Sequence, residues 1–265
     1  MSRFKIDIDA EHGGRWTELH DPSGRQWLWQ RPDPARDHVR PGDSFVDVGG
    51  LEECYPTIGA DPDHGELWTR PWTSLTEGGA GRVRHEVAYE SVRLTRSIRS
   101  LPEGIEAHYL LEAEPGTRFI WAAHALLELG VGATLIADDG PARAWPDHKL
   151  PVETTWPRPL DIDYATLGPD DGSAMFCLLP GRAEVAVADG RDVLRFRLEC
   201  EGQPVSVGLW RNLGGYPWGS AHKYRNVGVE PMLGRVFDLT AADPQDAALV
   251  PGTGQVEWTL RIDNG

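Results

Sequence analysis

The chain has 265 residues and a formal net charge of −15, which disfavours nucleic acid and anionic membranes as partners. Its three cysteines, Cys54, Cys177 and Cys200, are an odd number without metal-ligand spacing, so neither a disulfide framework nor a structural zinc site is expected. No stretch reads as a signal peptide and no apolar run approaches about 18 residues, so we expect a cytoplasmic protein.

Alternation of apolar and polar residues dominates the chain. It begins with Phe4, Ile6 and Ile8, which are separated by charged residues, and it recurs at 83–90, 105–111, 194–199 and 255–263. Because successive strand residues point to opposite faces, this pattern buries one face and wets the other. Antiparallel sheets with one solvated face are typical of it.

Helical patterns are scarce. The run 119–129 (FIWAAHALLEL) is ambiguous, since its Ala and Leu content favours a helix while its continuous apolarity also suits a buried strand. Many short strands with glycine and proline turns predict one all-β domain over residues 1–265, a sandwich or a barrel. The long loops expected at 31–44, 138–172 and 212–226 are where binding groups tend to lie on a β scaffold.

The segment 63–72 (DHGELWTRPW) concentrates ionic, imidazole and indole groups. Pro62 and Pro71 argue against a helix or a central strand there, so we expect a loop. Such a loop suits a ligand with polar edges and an apolar face, such as a sugar ring, although a tryptophan-rich loop packed on its own core gives the same pattern. The candidate contacts are His64, Glu66, Trp68 and Arg70.

Two further residues suggest acid–base chemistry. His124 lies within an apolar run, where it is either a satisfied core residue or a catalytic group. Glu230 follows Val227 and Val229 at alternating positions, so its carboxylate is either salt-bridged or poised by burial. Burial raises the pKa of a carboxyl toward neutrality, and the pKa of histidine starts near about 6.5, so such a pair can exchange protons near neutral pH.

A tryptophan- and glycine-rich segment at 209–218 supplies two more candidates, Trp210 and Asn212. The indole of Trp210 suits either core packing or the C–H face of a sugar. Glycine-rich phosphate loops, nucleophile elbows and HExxH metal motifs are absent from the sequence. This argues against kinases, dehydrogenases, serine hydrolases and zinc proteases.

Several motifs occur together in a characteristic order. They are Gly13–Leu19, Gly24–Trp29, Gly49-Gly50 through Pro56, Asp63–Trp68, His124, Glu230-Pro231 and Leu249–Gly252. In this order and spacing the chain resembles the galactose mutarotase-like superfamily, the aldose 1-epimerases and their relatives, over nearly its whole length. The resemblance implies a β-supersandwich of two large twisted antiparallel sheets with a sugar cleft on one of them.

The resemblance also implies a reaction, the interconversion of the α and β anomers of a free aldose without metal, nucleotide or other cofactor. By motif, His124 resembles the general acid that acts on the ring oxygen, and Glu230 the general base that acts on the anomeric hydroxyl. His64 resembles a second histidine that binds the sugar, and Arg70 is a candidate for a ring hydroxyl. Sugar-phosphate relatives carry an arginine four residues after that histidine, whereas this chain has Trp68, which argues against phosphorylated substrates.

Another departure leaves alternatives open. Residues 125–128 (ALLE) replace the aromatic residue and asparagine that usually follow the acid histidine. We therefore expect a cofactor-free aldose mutarotase, with a non-catalytic carbohydrate-binding protein or another sugar-active enzyme, a lyase or hydrolase, as alternatives on the same scaffold. The expected partner is a small carbohydrate, and the expected assembly is a monomer or a homodimer.

Overall fold

The computed structural model describes residues 3–59, 61–75, 82–146 and 150–265. Within these residues it has nineteen strands, four 3-10 helices and no α-helix. The strands are β1 (Lys5–Asp9), β2 (Arg15–His20), β3 (Gly50–Cys54), β4 (Thr73–Leu75), β5 (Arg82–Tyr89), β6 (Val92–Ser100), β7 (Gly104–Glu112), β8 (Arg118–Phe119), β9 (Trp121–Leu127), β10 (Thr134–Ile136), β11 (Gly140–Trp145), β12 (Val152–Trp156), β13 (Ser173–Pro180), β14 (Glu184–Asp189), β15 (Asp192–Glu199), β16 (Val205–Leu213), β17 (Arg225–Leu233), β18 (Ala248–Leu249) and β19 (Gln255–Asp263). The 3-10 helices are Pro34–His38, Leu67–Thr69, Pro159–Asp161 and Leu239–Ala241.

Two large antiparallel sheets form the molecule. The front sheet has nine strands in the order β1-β2-β3-β9-β17-β16-β13-β11-β12, and the back sheet has eight in the order β10-β14-β15-β19-β7-β6-β5-β4. A short pair, β18 and β8, forms a third sheet. The predicted all-β class with two large antiparallel sheets is confirmed. Among the described residues no helix is long and apolar enough to cross a membrane.

The run 119–129 is resolved in favour of a strand. β9 lies inside the front sheet between β3 and β17, and all seven of its residues are buried. A strand that is covered on both faces reads as continuously apolar, which is why its sequence also suits a helix. The prediction of one long loop over 138–172 is wrong, because this segment contains β11 and β12.

The alternation of side chains along β9 defines the two faces of the front sheet. Trp121, Ala123 and Ala125 join the large core between the sheets, which also contains Tyr109 and Trp258 of the back sheet. The even-numbered residues of β9 face the other side. The outer face of the front sheet, which is not covered by the back sheet, carries the cavity described below.

Candidate active site

A cavity of about 800 Å³ opens on the outer face of the front sheet. Its floor consists of side chains from β9, β13, β16 and β11, and its walls come from the loops that join the strands. The lining residues are Phe45, Asp47, Ile58, Gly59, Asp63, His64, His124, Leu126, Arg143, Trp145, Leu150, Pro151, Glu153, Phe176, Trp210, Tyr216, Trp218, Val236, Phe237, Asp238, Ala241 and Asp246.

His124 lines the floor of this cavity, and Glu230 lies next to it, completely buried and outside the lining. β9 and β17 are neighbours, with Val229 opposite Ala125. Because side chains alternate between the two faces of a strand, the adjacent residues Glu230 and His124 point to the outer face. The Nε2 atom of His124 lies 3.7 Å from Oε1 of Glu230. The glutamate is 0% exposed and the histidine 5% exposed. Two residues more than a hundred positions apart are therefore brought into contact beside the cavity.

Within the described part of the chain, no group forms a hydrogen bond with either oxygen of the Glu230 carboxylate. Gly228 leaves room beside it, since a Cβ at that position would lie 3.1 Å from Oε1 of Glu230 and 2.8 Å from the Cβ of Trp210. An unsatisfied buried carboxylate is costly in its charged form. This group is therefore held ready to accept a hydrogen bond that the protein does not supply.

Burial shifts the pKa values of both groups in opposite directions. Desolvation raises the pKa of Glu230 to about 7, although the nearby His64 opposes the shift. Desolvation lowers the pKa of His124 to about 3, and His64 lowers it further. Both shifts penalise charge, as expected in a site shielded from water. Between these two values the pair carries a single titrating proton, mainly on Glu230.

His64 approaches the same point from the loop at 61–70. Its ring centroid is 5.0 Å from that of His124, with the rings nearly perpendicular. Nδ1 lies 2.8 Å from Oδ1 of Asp63, and the ring of Phe45 stacks on the other side at 3.7 Å. The carboxylate and the phenyl ring thus fix the orientation of His64 against the cavity.

The remaining candidates of this loop lie elsewhere. Trp68 is completely buried, and its Nε1 donates to the carbonyl of Asp63 at 2.9 Å, so it supports the loop from below. Arg70 donates to Glu66 at 2.7 Å, and its guanidinium lies 4.5 Å from the ring centroid of Tyr89. None of Trp68, Arg70 and Glu66 is among the described residues that line the cavity.

The two candidates on β16 have different surroundings. Trp210 lines the cavity, and its ring lies 4.4 Å from that of Phe176. Asn212 is buried outside the lining, where its Oδ1 accepts from the backbone nitrogens of Gly215 and Tyr216 at 3.0 Å each. Asn212 therefore shapes the loop after β16, which brings Tyr216 and Trp218 to the cavity wall.

Asp47 and Phe45 are cavity residues that sequence reasoning missed. Asp47 accepts from the hydroxyl of Tyr224 at 2.5 Å and from the backbone nitrogen of Gly49 at 3.1 Å. Burial raises the pKa of Asp47, and the bond from Tyr224 opposes this shift. The signal available in the sequence is weak, since the glycine pair after residue 48 marks a turn but does not say which earlier side chain it places in a site.

A salt bridge and a hydrogen bond from Arg36 anchor the loop that carries Phe45 and Asp47. Arg36, which is 3% exposed, donates from Nη2 to Glu52 at 2.6 Å and to the carbonyl of Trp68 at 3.1 Å. Glu52 stands opposite His124 in the pairing of β3 with β9. The loop at 31–48 is thereby tied both to the strand beside His124 and to the His64 loop.

Carboxylates outnumber cations around the cavity. Five acidic side chains line it, and Arg143 is the one lysine or arginine among the described lining residues. That guanidinium is already paired, with its Nε 2.7 Å from Oε1 of Glu153. Carboxylates accept hydrogen bonds from hydroxyl groups and repel anions. The cavity therefore suits a neutral polyol better than a phosphorylated one. The five acidic residues are Asp47, Asp63, Glu153, Asp238 and Asp246.

Several solved structures have a fold similar to that of this chain. The Slr1438 protein from Synechocystis sp. PCC 6803 aligns with a TM-score of 0.74 at 13% identity, over 99% of this chain and 95% of that chain. A galactose mutarotase-like protein from Lactobacillus casei ATCC 334 aligns at 0.68 and 14%, over 100% and 98% of the two chains. A galactose mutarotase related enzyme from Lactobacillus acidophilus aligns at 0.68 and 11%, over 100% and 95%.

No protein-family model and no curated protein matches the sequence. At 11–14% identity the structural likeness concerns the fold, which is galactose mutarotase-like over essentially the whole chain. The resemblance seen in the sequence motifs is thus confirmed at the level of the fold. A shared fold does not by itself fix the chemistry, so function has to be argued from the cavity.

Proposed function

We propose that this protein is a cofactor-free aldose mutarotase that interconverts the α and β anomers of a free, neutral sugar. The observation that carries the proposal is the contact between Glu230, which is completely buried, and His124, which lines an acidic, aromatic cavity. One group of this pair is a buried carboxyl with free acceptor atoms, and the other is an imidazole that lines the cavity. Acid–base chemistry on a bound hydroxyl compound needs both.

Ring opening requires two proton transfers. Glu230, as the carboxylate, takes the proton of the anomeric hydroxyl, and the electron pair of that O–H bond forms the C1=O double bond. The bond between C1 and the ring oxygen breaks, and the ring oxygen takes a proton from the imidazolium of His124. The open aldehyde turns about its C1–C2 bond, and the reverse transfers close the ring on the other face. No net proton, electron or atom is gained or lost.

The shifted pKa values favour the middle of this cycle. In the open-chain complex Glu230 is a neutral acid and His124 a neutral imidazole. This is the state that burial favours in the empty cavity between pH values of about 3 and 7. The ring-closed complex reacts through its minor, charged form, in which the two groups lie 3.7 Å apart and each stabilises the other. Ring opening then returns the pair to the neutral form that burial favours.

Substrate binding is assigned to the groups around the pair. His64, held by Asp63, is placed to bind a hydroxyl close to His124. Asp47, held by Tyr224, offers a carboxylate on the same side of the cavity. Trp210 offers an indole for the C–H face of the ring. Positioning of this kind supplies a large part of the rate enhancement in a reaction with small chemical demands.

Polarimetry tests the proposal. Freshly dissolved α-glucose, α-galactose and α-xylose are followed with and without the purified protein at pH 6, and the spontaneous rate is subtracted. We expect a first-order acceleration proportional to protein concentration for at least one of these neutral sugars. We expect a much weaker effect on glucose 6-phosphate and galactose 6-phosphate. The absence of acceleration across a panel of free hexoses, pentoses and their phosphates would refute the proposal. Calorimetry with the same sugars then shows whether binding survives without chemistry.

A further inference from the structure

The floor of the cavity continues well beyond the His124–Glu230 pair. Trp210 of β16 stands opposite Phe176 of β13, and Phe176 stands opposite Trp145 of β11. The ring of Phe237 packs beside two members of this row, with its centroid 5.0 Å from that of Trp145 and 5.4 Å from that of Phe176. All four residues line the cavity. We call Trp145, Phe176, Trp210 and Phe237 the aromatic arm.

The aromatic arm is long compared with a single sugar ring. Going from β9 to β11 crosses β17, β16 and β13, which makes four strand steps. At about 4.8 Å per step the strand of Trp145 lies about 19 Å from the strand of His124. The cavity volume of about 800 Å³ falls within the range, roughly 300–1,000 Å³, that takes drug-sized ligands. A monosaccharide bound at His124 and Trp210 would leave the part of the arm from Phe176 to Trp145 empty.

The far end of the arm has the polar groups that a second sugar requires. Arg143 and Glu153 stand opposite each other on β11 and β12, and Asp238 and Asp246 lie on the wall. Aromatic faces contact the C–H faces of a pyranose, while carboxylates and a guanidinium bond to its hydroxyls at the edges. A purely apolar ligand would remove water from three carboxylates without offering them a hydrogen bond, and an acidic ligand would be repelled by them.

We propose that the aromatic arm is a subsite for the second unit of a neutral reducing oligosaccharide. Its reducing-end ring lies at His124 and Glu230, and the next ring stacks along the arm toward Trp145. The orientation of the chain rests on the proposed mutarotase function, because it is the free anomeric centre that must reach Glu230. The natural substrates are then reducing disaccharides or longer chains rather than single sugars.

The experiment compares glucose with maltose, cellobiose and lactose, each dissolved as one anomer and followed by polarimetry. We expect kcat/KM for at least one disaccharide to exceed that for glucose at least tenfold. In Trp145→Ala the ratio of disaccharide to glucose kcat/KM falls at least tenfold, while Trp145→Phe keeps most of it. Ile136→Ala, an exposed position on β10 of the back sheet, serves as a control and leaves the ratio unchanged.

Equal or lower kcat/KM for all three disaccharides would overturn the subsite, as would an unchanged ratio in a folded Trp145→Ala protein. If neither glucose nor any disaccharide is turned over, the proposed function fails and the subsite is judged by calorimetry alone. Disaccharide binding at least tenfold tighter than glucose binding, and weakened at least tenfold by Trp145→Ala, supports the subsite in that case. Binding that does not distinguish the two sugars refutes it.

Discussion

Two buried carboxylates on the front sheet have opposite surroundings. Glu53 points into the core between the sheets, where Oε1 accepts from Nη1 of Arg96 at 2.5 Å and from the hydroxyl of Tyr109 at 2.9 Å. Arg96 and Tyr109 belong to β6 and β7 of the back sheet, so this cluster links the two sheets. All three side chains are completely buried.

Glu230 points to the other face and is equally buried, yet no described residue forms a hydrogen bond with either of its oxygens. The neighbouring imidazole of His124, 3.7 Å away, supplies no counter-charge at neutral pH, because burial lowers its pKa to about 3. A carboxylate buried in the core receives a counter-charge, because an isolated buried charge is strongly destabilising. A carboxylate left without one next to a cavity is explained by a ligand that supplies the missing hydrogen bond. Within one sheet, Glu53 thus stabilises the contact between the sheets, whereas Glu230 is available for the proposed chemistry.

The largest expected effect is the loss of mutarotation in Glu230→Gln. The amide keeps the shape of the side chain but cannot take the anomeric proton, and general acid–base catalysis typically contributes about 10²–10⁴-fold. We expect kcat/KM to fall about a thousandfold in polarimetry while the circular dichroism spectrum is unchanged. The control is Glu257→Gln, an exposed glutamate on β19, which retains full activity. A Glu230→Gln protein within tenfold of the parent would rule out this residue as the base.

The matched change at the other carboxylate is Arg96→Met. It leaves Glu53 buried without its counter-charge, and breaking a buried ion pair in this way costs about 3–5 kcal/mol. We expect urea unfolding at pH 7 to show a decrease of that size in the free energy of unfolding. Mutarotation per folded molecule should change little, because Arg96 lies between the sheets. A decrease under about 1 kcal/mol would show that this ion pair does not stabilise the sheet contact.

The two glutamates also show how much of the site could be predicted from the sequence. Glu52 and Glu53 are adjacent, and strand alternation alone requires them to face opposite sides of the sheet. The same rule puts Glu230 on a defined face of β17. Which face meets the back sheet and which carries the cavity depends on the strand order, in which β3, β9 and β17 become neighbours although they are far apart in the chain. Residue type suggested that His124 and Glu230 act together, and the family resemblance gave each a role, but neither shows that their strands are neighbours.

Proximity along the chain was misleading near His64. Glu66 and Arg70 follow it closely, but the 3-10 turn Leu67–Thr69 redirects the chain, and these two side chains pair with each other instead of lining the cavity. Conversely, Asp47 reaches the cavity because Tyr224, 177 positions later, donates a hydrogen bond to it. A single sequence contains no local signal for a contact of that kind.

A smaller effect concerns stability, and here Glu230→Gln should behave unlike a core mutation. Burial raises the pKa of Glu230 from 4.5 to about 7, and this difference corresponds to about 3 kcal/mol. In this range the folded protein holds a proton that the unfolded chain has released, so the parent loses stability as pH rises from 4.5 to 7. Glutamine does not titrate. The variant should therefore gain stability relative to the parent, most clearly at pH 8.

Thermal unfolding at pH 4.5 and pH 8 measures this gain. The difference in free energy of unfolding between variant and parent should be larger at pH 8 than at pH 4.5 by up to about 3 kcal/mol. Glu257→Gln again provides the baseline, since its carboxylate is exposed on the back sheet. A difference that is the same at both pH values would mean that Glu230 finds a partner in the folded protein, as Glu53 does.

The smallest expected effect is a tenfold decrease in kcat/KM for each pH unit above pH 7. The pH dependence of kcat/KM reports the pKa values of the free enzyme. Both halves of the proposed cycle use a pair that holds one proton, whether it sits on Glu230 or on His124. That form is bounded by pKa values of about 3 and about 7, so kcat/KM should be flat near pH 5, halve near pH 7 and then fall. The measurement is polarimetry from pH 5 to 9, with the base-catalysed background subtracted at each pH. A rate that instead rises through pH 7 would show that the active pair has already lost its proton, which the proposed exchange does not allow.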